Sequence, residues 1–197
     1  MASRLHKNVA LKAEKSECKE IHLGLNSPLG KIQISGCETG IHEIKLQPET
    51  VPEKSTKEIS FTCDVCEDPE EMTVPLKQCV DWLKVYFCEP WMTEKLPIPA
   101  FHHPVFQQDS FTRHVLETLL NHVKSGETVS YKELADLSGN NNAARAVGGA
   151  MRSNPVPIII PCHRVICSNG DIGNYMGEKQ NCLKEWLLAH EKLQKRD

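Results

Sequence analysis

The amino-acid sequence predicts an α+β protein of two domains, in which an antiparallel sheet with one helix precedes a mostly α-helical domain. Two patterns support this class: short segments of alternating apolar residues lie near the N-terminus, and a helix, a glycine turn and a second helix follow later. A chain of 197 residues that is 40% hydrophobic can fill two small cores. Because prolines recur through segment 89–104, we interpret it as an extended connector and place the domains at 1–101 and 102–197.

The N-terminal domain is predicted to be a three-stranded antiparallel meander covered by a helix. Apolar and polar residues alternate over residues 20–25, 31–35 and 41–46, and turn residues separate these segments. Pro75 suits the first turn of a helix. The residues that follow repeat at helical spacing and form one apolar stripe of Leu76, Val80, Leu83 and Phe87. This stripe should cover the apolar face of the sheet.

Segment 47–74 between the sheet and this helix is rich in Glu, Lys, Pro, Ser and Thr, which predicts a long, partly disordered surface loop. It contains Cys63 and Cys66 at a spacing typical of zinc or redox sites. No second Cys or His pair occurs at matching spacing, so we favour two solvent-exposed loop thiols.

The C-terminal domain is predicted to contain a helix-turn-helix. Ser110 can cap an amphipathic helix that Gly126 should end. The run Ser130 to Glu133 has the pattern of a capping box, and Gly139 supplies a turn before a second helix over residues 143–152.

This second helix is unusually rich in Ala and Gly. Gly148 and Gly149 each cost about 1 kcal/mol in helix propensity. A slim helix of this kind could enter the minor groove of DNA, or it could pack closely against another helix in a core. Arg145 in the middle of the run favours the DNA interpretation.

Cys162 is a candidate nucleophile. Pro155, Pro157 and Pro161 restrict the preceding backbone and predict a rigid, extended support. The adjacent His163 can raise the thiolate fraction of the cysteine. The alternative is that Cys162 is a small core residue beside Ile and Pro, which is the commoner role of such cysteines.

Composition and charge limit the possible roles further. The formal net charge is −3, but no acidic residue lies between Asp136 and Asp171, where three arginines predict a phosphate-facing surface: Arg145, Arg152 and Arg164. The 9 cysteines are an odd number at irregular spacing, which favours free thiols, catalysis or metal binding over disulfides. The sequence has neither an apolar run of transmembrane length nor a signal-peptide core, which predicts a soluble intracellular protein without membrane partners.

Three motifs in the C-terminal half resemble the O6-alkylguanine-DNA alkyltransferase family, in particular its vertebrate members. They are the run Pro161 to Arg164, the run Arg145 to Ala150, and the pair Asn154-Pro155. The resemblance implies a ribonuclease-H-like N-terminal domain and a winged-helix-like C-terminal domain. It also implies a nuclear, monomeric protein that binds double-stranded DNA containing O6-alkylguanine, and it leaves cooperative binding along DNA open.

The reaction implied by the resemblance is a single irreversible transfer of the alkyl group from a flipped guanine to Cys162, without an organic cofactor. His163 would deprotonate Cys162 through a water, Glu191 would orient His163, and Asn154 would brace the active-site turn. A non-catalytic DNA-lesion binder and a cysteine hydrolase are the alternative functions. Glu191 could instead be a solvated helix residue.

The resemblance also implies two groups of binding residues. Tyr131 would donate a proton to the leaving guanine, and Arg145 would fill the space that the base vacates. The full DNA-contacting set would be Tyr131, Ala144, Arg145, Gly148 and Arg152. The base pocket would consist of Val165, Tyr175, Met176, Gly177 and Lys184. Simpler alternatives are that Tyr131 points to water and that Tyr175 is a packing ring. The loop after Tyr175 is longer than in related chains, which leaves the shape of the pocket open.

A structural zinc site is implied in the N-terminal domain. The matching positions are Cys18, Cys37, His42 and His102. Two cysteines and two histidines suit tetrahedral zinc, although His103 competes with His102 as a ligand.

Overall fold

An antiparallel four-stranded sheet forms the N-terminal part of the computed structural model, which describes residues 18–48, 63–67, 69–176 and 181–192. Strands β1 (Ile21–Ser27), β2 (Gly30–Gly36) and β3 (Ile41–Gln47) follow one another as predicted. A fourth strand, β4 (Asp64–Glu67), pairs with β1 and completes the order β3-β2-β1-β4.

The fourth strand was not predicted, because it lies in the segment that we interpreted as a loop. It is four residues long, and only its second residue is even half-buried. A strand this short and this exposed has no alternation of apolar residues from which it could be predicted. Cys66 is exposed as expected, but Cys63 is buried, so the prediction of two exposed loop thiols is wrong for Cys63. The rest of the predicted loop between residues 49 and 62 lies outside the described residues.

Helix α1 (Val74–Cys88) is buried on two of its faces. The four predicted stripe residues are all buried, with exposed fractions of 0% to 4%. A second row that includes Trp82 and Tyr86 is also buried, and Tyr86 packs edge-on against the ring of His163. The helix therefore lies between the sheet and the C-terminal half, and buried residues of both halves form one continuous core.

The connector between the halves closes the exposed edge of β3. After a 3-10 helix (Pro90–Lys95), the chain extends to Phe101, which pairs in parallel with Ile41. The backbone N–H of Ile44 also donates to the carbonyl of Pro155, at 2.8 Å. The sheet edge is thus covered by the connector and by the turn that precedes the candidate nucleophile. A domain boundary at residue 101 stays a prediction.

The C-terminal half is mostly helical, as predicted. It contains α2 (Pro104–Gln107), α3 (Phe111–His122), α4 (Tyr131–Leu137), α5 (Ala144–Arg152) and α6 (Asn181–Glu191), with one short parallel pair of strands, β5 (Val129–Ser130) and β6 (Val165–Ile166). No helix among the described residues is long and apolar enough to cross a membrane.

Local signals explain where these helices begin. The Ser110 side chain accepts a hydrogen bond from Arg113 N at 3.2 Å, and Ser130 and Glu133 form the predicted capping box. Helix α3 ends at His122, before the predicted stop at Gly126, and Val123 serves as its C-cap. Gly139 has φ 82° in the turn between α4 and α5, a backbone conformation that favours glycine.

Candidate active site

A tight turn positions Cys162. The Asn154 side chain donates to the carbonyl of Ile160 at 2.9 Å and accepts from the N–H of Val156 at 3.1 Å. These bonds hold Ile158 at φ 72°, which is a strained conformation for a β-branched residue. The predicted extended support is therefore wrong in shape, because the chain folds back at Ile158 and Cys162 opens a 3-10 turn. The support is nevertheless buried, and the Asn154 hydrogen bonds brace it.

A buried carboxylate binds the residue that follows the thiol. Glu191 is 7% exposed, and its Oε1 lies 2.6 Å from His163 Nε2. Burial by itself would raise the pKa of Glu191, but His163 and Arg164 overcome that effect and hold the pKa well below its usual range. Glu191 is thus an ionised acceptor in the core, and the alternative of a solvated helix residue is wrong.

Arg164 belongs to the same buried cluster. Its Nε and Nη2 donate to the two oxygens of Glu191 at 2.9 Å and 3.0 Å, and its Nη1 donates to the carbonyl of Val123 at 2.7 Å. The residue is 6% exposed, so the prediction that Arg164 faces phosphate is wrong. It neutralises a carboxylate from α6 instead.

The protonation states of Cys162 and His163 follow from their burial. Burial raises the pKa of Cys162, although Asn154, Lys184 and Tyr175 favour the thiolate. Burial also lowers the pKa of His163, although Glu191 opposes this. The resting site therefore holds a neutral thiol and a neutral imidazole.

The tautomer of His163 can be inferred from its partners. Nε2 lies against an ionised carboxylate, so it carries the proton. Nδ1 is buried and has no hydrogen-bond partner within the described part of the chain. A neutral imidazole with an unused, buried lone pair is the group that a general base requires.

The predicted pocket residues lie around Cys162. Tyr175 is buried and Val165 is fully enclosed, while Met176 is half-buried with its Sδ 3.7 Å from Cys162 Sγ. The Tyr175 hydroxyl has no well-formed hydrogen bond among the described residues. Burial raises the pKa of Tyr175 well above its ordinary value, and the nearby Cys162 raises it further. Gly177 lies outside the described residues.

Lys184 organises the loop beside this pocket. Its Nζ donates to the carbonyls of Val165 and Ile172 at 2.6 Å and to that of Asn174 at 3.3 Å. The same ammonium lies 5.9 Å from the ring centroid of Tyr131. A buried lysine therefore ties the pocket loop to β6 and places a positive charge near Cys162.

Tyr131 opens α4 beside the pocket and is half-buried. Its pKa is raised, first by burial and then by the thiols of Cys167 and Cys162. Its hydroxyl lies near Gly173 in the pocket loop, 3.8 Å from the position that a Cβ there would occupy. The alternative that Tyr131 simply points to water is therefore wrong.

Helix α5 presents an open, slim face. A Cβ added at Gly148 or Gly149 would meet nothing within 4 Å, so the alternative of close core packing at these glycines is wrong. The helix packs inward through Val147, Ala150 and Met151. Outward, Arg145 and Arg152 are exposed, while Ala144 and Gly148 are half-buried. This face can approach a large ligand closely.

A second cluster of cysteines and histidines lies in the sheet domain. The ligand atoms of Cys18, Cys37, His42 and His102 all lie within 4.8 Å of one another. Burial raises the pKa of Cys37, but hydrogen bonds to the backbone at Gly40 and Thr39 and to the two histidines outweigh this effect. The resulting pKa is about 6. Four converging soft and borderline donors suit a tetrahedral metal ion.

The surroundings of this cluster also fit metal ligation. Glu20 Oε1 lies 3.2 Å from His42 Nδ1, which leaves Nε2 to face the cluster. His103 does not compete with His102, because its Nδ1 accepts the N–H of Val105 at the start of α2. Cys63 and Cys66 belong to no cluster of this kind within the described residues.

The sequence predicted neither the contact of Tyr86 with Glu191 nor that of Arg164 with the same carboxylate. The Tyr86 hydroxyl donates to Glu191 Oε1 at 2.9 Å from a helix more than a hundred residues away. In the sequence, Tyr86 lies outside the predicted apolar stripe of α1, and no local motif connects it with Glu191.

The fold and the site together define a class of protein: a ribonuclease-like sheet domain joined to a helix-turn-helix domain with a buried cysteine, histidine and glutamate. The chain belongs to the methylated-DNA–protein-cysteine methyltransferase family. The family profile described as 6-O-methylguanine DNA methyltransferase, ribonuclease-like domain, matches residues 23–100, and the one described as the DNA binding domain matches residues 110–193.

Relatives with this name cover most of the chain. The protein from Cricetulus griseus is 59% identical over 88% of this chain and 83% of its own length. The one from Homo sapiens is 55% identical over 89% of this chain and 82% of its own length. The Mycobacterium tuberculosis OGT crystallised in complex with DNA superposes with a TM-score of 0.61 and 29% identity, over 86% of this chain and 91% of that one.

Proposed function

We propose that this protein repairs O6-alkylguanine in double-stranded DNA by transferring the alkyl group to Cys162. The thiolate would attack the alkyl carbon, so that an S–C bond forms while the C–O6 bond breaks and guanine leaves. The thiol proton would pass through a water to His163 Nδ1, and the leaving guanine would be protonated or stabilised by a donor such as Tyr131. Because a thioether has no good leaving group, each molecule would act once.

The observation that carries this proposal is a neutral His163 held on an ionised carboxylate, directly after the buried Cys162 in the same 3-10 turn. A neutral imidazole with Nε2 on Glu191 and a free Nδ1 lone pair can accept one proton, and Glu191 would stabilise the imidazolium that results. A non-catalytic lesion binder would have no use for this arrangement. The name of the relatives, methylated-DNA–protein-cysteine methyltransferase, fits such a transfer from DNA to a cysteine.

The direct test is the intact mass of the protein after incubation with a duplex that contains O6-methylguanine. We expect a gain of one CH2 group at a stoichiometry of one, and no gain in Cys162→Ala. Cys182→Ala is the matched control, because Cys182 is an exposed thiol and should accept nothing. Unchanged mass with retained DNA binding would support the lesion binder, and repeated turnover would support a hydrolase.

We propose further that α5 binds the minor groove. The open face at Gly148 would allow the close approach, and Arg145 would enter the base stack while Tyr131 crowds the phosphate of the flipped nucleotide. The residues proposed to contact DNA are Tyr131, Ala144, Arg145, Gly148 and Arg152. Arg145→Ala should slow transfer from duplex DNA more than transfer from the free modified base, and equal losses on both substrates would contradict flipping.

The cluster of Cys18, Cys37, His42 and His102 is proposed to hold Zn²⁺. When bound there, zinc would supply a structural cross-link between β3, the chain before β1 and the connector, with all four positions taken by the protein. The chemistry of the donors and the supporting carboxylate of Glu20 carry this assignment. Metal analysis should give one zinc per chain and a loss of that zinc in Cys37→Ser.

We propose nuclear residence, because the substrate is chromosomal DNA, and we propose that the protein acts as a monomer. Cooperative binding along DNA remains a separate hypothesis. Sedimentation of the free protein would test the monomeric state, and sedimentation of its complexes with duplexes of increasing length would test cooperative binding.

A further inference from the structure

We propose that Tyr86, on α1 of the sheet domain, is a positioning residue for the pair of His163 and Glu191 and sets how readily His163 takes up a proton. This inference rests on the proposed role of that pair as a proton relay. It adds a group from the other half of the molecule to the relay.

The geometry places Tyr86 on the atom that matters for His163. Its hydroxyl donates to Glu191 Oε1 at 2.9 Å, and the same oxygen lies 2.6 Å from His163 Nε2. Arg164 Nη2 donates to Oε1 as well, at 3.0 Å. Three donors thus share one carboxylate oxygen in a buried site, so each donor reduces the negative charge that the other two experience.

The hydroxyl is not needed to hold the ring in place. The Tyr86 ring stacks on Trp82 with centroids 5.5 Å apart and packs edge-on against Phe87 at 5.3 Å. Its backbone carbonyl accepts a hydrogen bond from His190 Nε2 at 2.7 Å, which any residue at this position could do. The specific contribution of a tyrosine at position 86 is therefore the O–H dipole directed at Glu191.

That dipole has a defined electrostatic effect. Burial, and then the charge of Glu191, raise the pKa of Tyr86 well above its ordinary value, so the phenol stays protonated and acts as a donor. Its positive end lies beside the oxygen that would stabilise an imidazolium. Removing it should make Glu191 a stronger partner for the protonated His163, so His163 should protonate at higher pH.

The other charged or titratable groups that face His163 come from the C-terminal half. They are Arg164 and Cys162 on its own turn, and Lys184, His190 and Glu191 on α6. Tyr86 is the group through which the sheet domain touches the carboxylate, among the residues that the structure describes. Removing the Tyr86 hydroxyl would therefore alter the relay without substituting any residue of the C-terminal half.

The test is Tyr86→Phe in the full chain, with two readouts. The first is the titration of His163 by NMR, which does not depend on DNA repair. The second is the ratio of the single-turnover transfer rates at about pH 6 and about pH 8, which reports the protonation of the base. We expect His163 to titrate at higher pH in Tyr86→Phe, and the rate ratio to fall by about 3-fold or more.

Cys79→Ala is the matched control. Cys79 is fully buried on the same helix and contacts the core rather than the relay, so its loss reduces stability without changing the donors on Glu191. It should leave both the His163 titration and the rate ratio as in the parent protein. Equal changes in the two variants would overturn the proposal, because they would indicate a general effect of a loosened helix.

A second substitution keeps the test decisive if the phenylalanine variant folds poorly. Site-specific 3-fluorotyrosine at position 86 preserves the shape and makes the hydroxyl a stronger donor, so His163 should titrate at lower pH. An unchanged His163 titration in the variants that fold would overturn the proposal. If the parent protein transfers no methyl group, the proposed function fails, whereas the NMR titration still decides the influence of Tyr86.

Discussion

The molecule contains two sites that combine cysteine with histidine, and their surroundings give them different chemistry. In the sheet domain, four ligand atoms of Cys18, Cys37, His42 and His102 converge within 4.8 Å, and the pKa of Cys37 is lowered to about 6. In the C-terminal half, one buried thiol lies 3.7 Å from Met176 Sδ, its pKa is raised by burial, and the imidazole of the next residue is bound to a carboxylate.

The comparison shows that residue type does not decide the role of a Cys–His pair. A thiol with several converging donors and nearby backbone N–H groups is suited to bind a cation permanently. A thiol kept neutral by burial is protected from unspecific alkylation and becomes a nucleophile only when a base removes its proton. Each cluster can be disrupted separately, and the effects on stability and on transfer should differ.

The largest effect is expected from Glu191→Gln, which disrupts the C-terminal cluster. It leaves Arg164 buried without a charge partner and should lower the free energy of unfolding by about 3–5 kcal/mol. Transfer to Cys162 should also slow, because nothing then stabilises the imidazolium. Urea unfolding and single-turnover kinetics measure the two effects. Glu71→Gln is the control, since Glu71 forms an exposed pair with Lys19 and should change stability by about 0.5 kcal/mol or less. A loss as small as in this control would contradict an ionised Glu191.

The next largest effect should come from the sheet-domain cluster. With zinc buffered about a hundredfold above its dissociation constant, binding should add about 2.7 kcal/mol to the free energy of unfolding, and His102→Asn should lose this increment. His103→Asn should keep it, because His103 only caps α2 and an asparagine can also accept there. Unfolding curves of the two variants, recorded with zinc and with a chelator, measure this difference. Equal zinc stabilisation in both variants would exclude His102 as a ligand.

A smaller effect should appear as a pH dependence of stability. Burial lowers the pKa of both His163 and His190 below the ordinary value of 6.5, so the unfolded chain binds protons first as the pH falls. Their contribution to stability is complete above about pH 6.5 and is lost as the pH falls through the folded pKa values, with a slope of up to about 1.4 kcal/mol per pH unit for each histidine. His190→Gln should remove its share of the slope. Stability that stays constant from about pH 7.5 to about pH 5.5 would contradict neutral histidines in the core.

The sequence predicted most of the fold because its local signals are strong. The strand alternation, the stripe on α1 and the capping box at Ser130 all depend on neighbours a few residues apart, and the structure contains each of them. Strand β4 could not be predicted, because its pairing with β1 comes from the sheet edge rather than from its own apolar pattern. Helix α3 ends at His122, four residues before the predicted stop at Gly126, which shows how loosely a glycine fixes a helix end.

In the candidate site, too, local motifs were predicted from the sequence and long-range contacts were not. The motif around Cys162 and the resemblance to a family identified the groups that now surround the thiol, and the small residues of α5 indicated an open face. Arg164 was assigned to the surface because an acid-free stretch of sequence says nothing about a carboxylate 27 residues away. Tyr86 was missed for the same reason, since only the folded chain brings α1 to Glu191.

The most direct test of the central claim is the location of the transferred group among the cysteines. After reaction of the zinc-loaded protein with duplex O6-methylguanine DNA, peptide mapping should find one methyl group, on the buried Cys162, and none on Cys37 or on the exposed Cys182. Methyl groups spread over the exposed thiols, or found on the cysteines of the sheet domain, would contradict a nucleophile activated by His163 and Glu191.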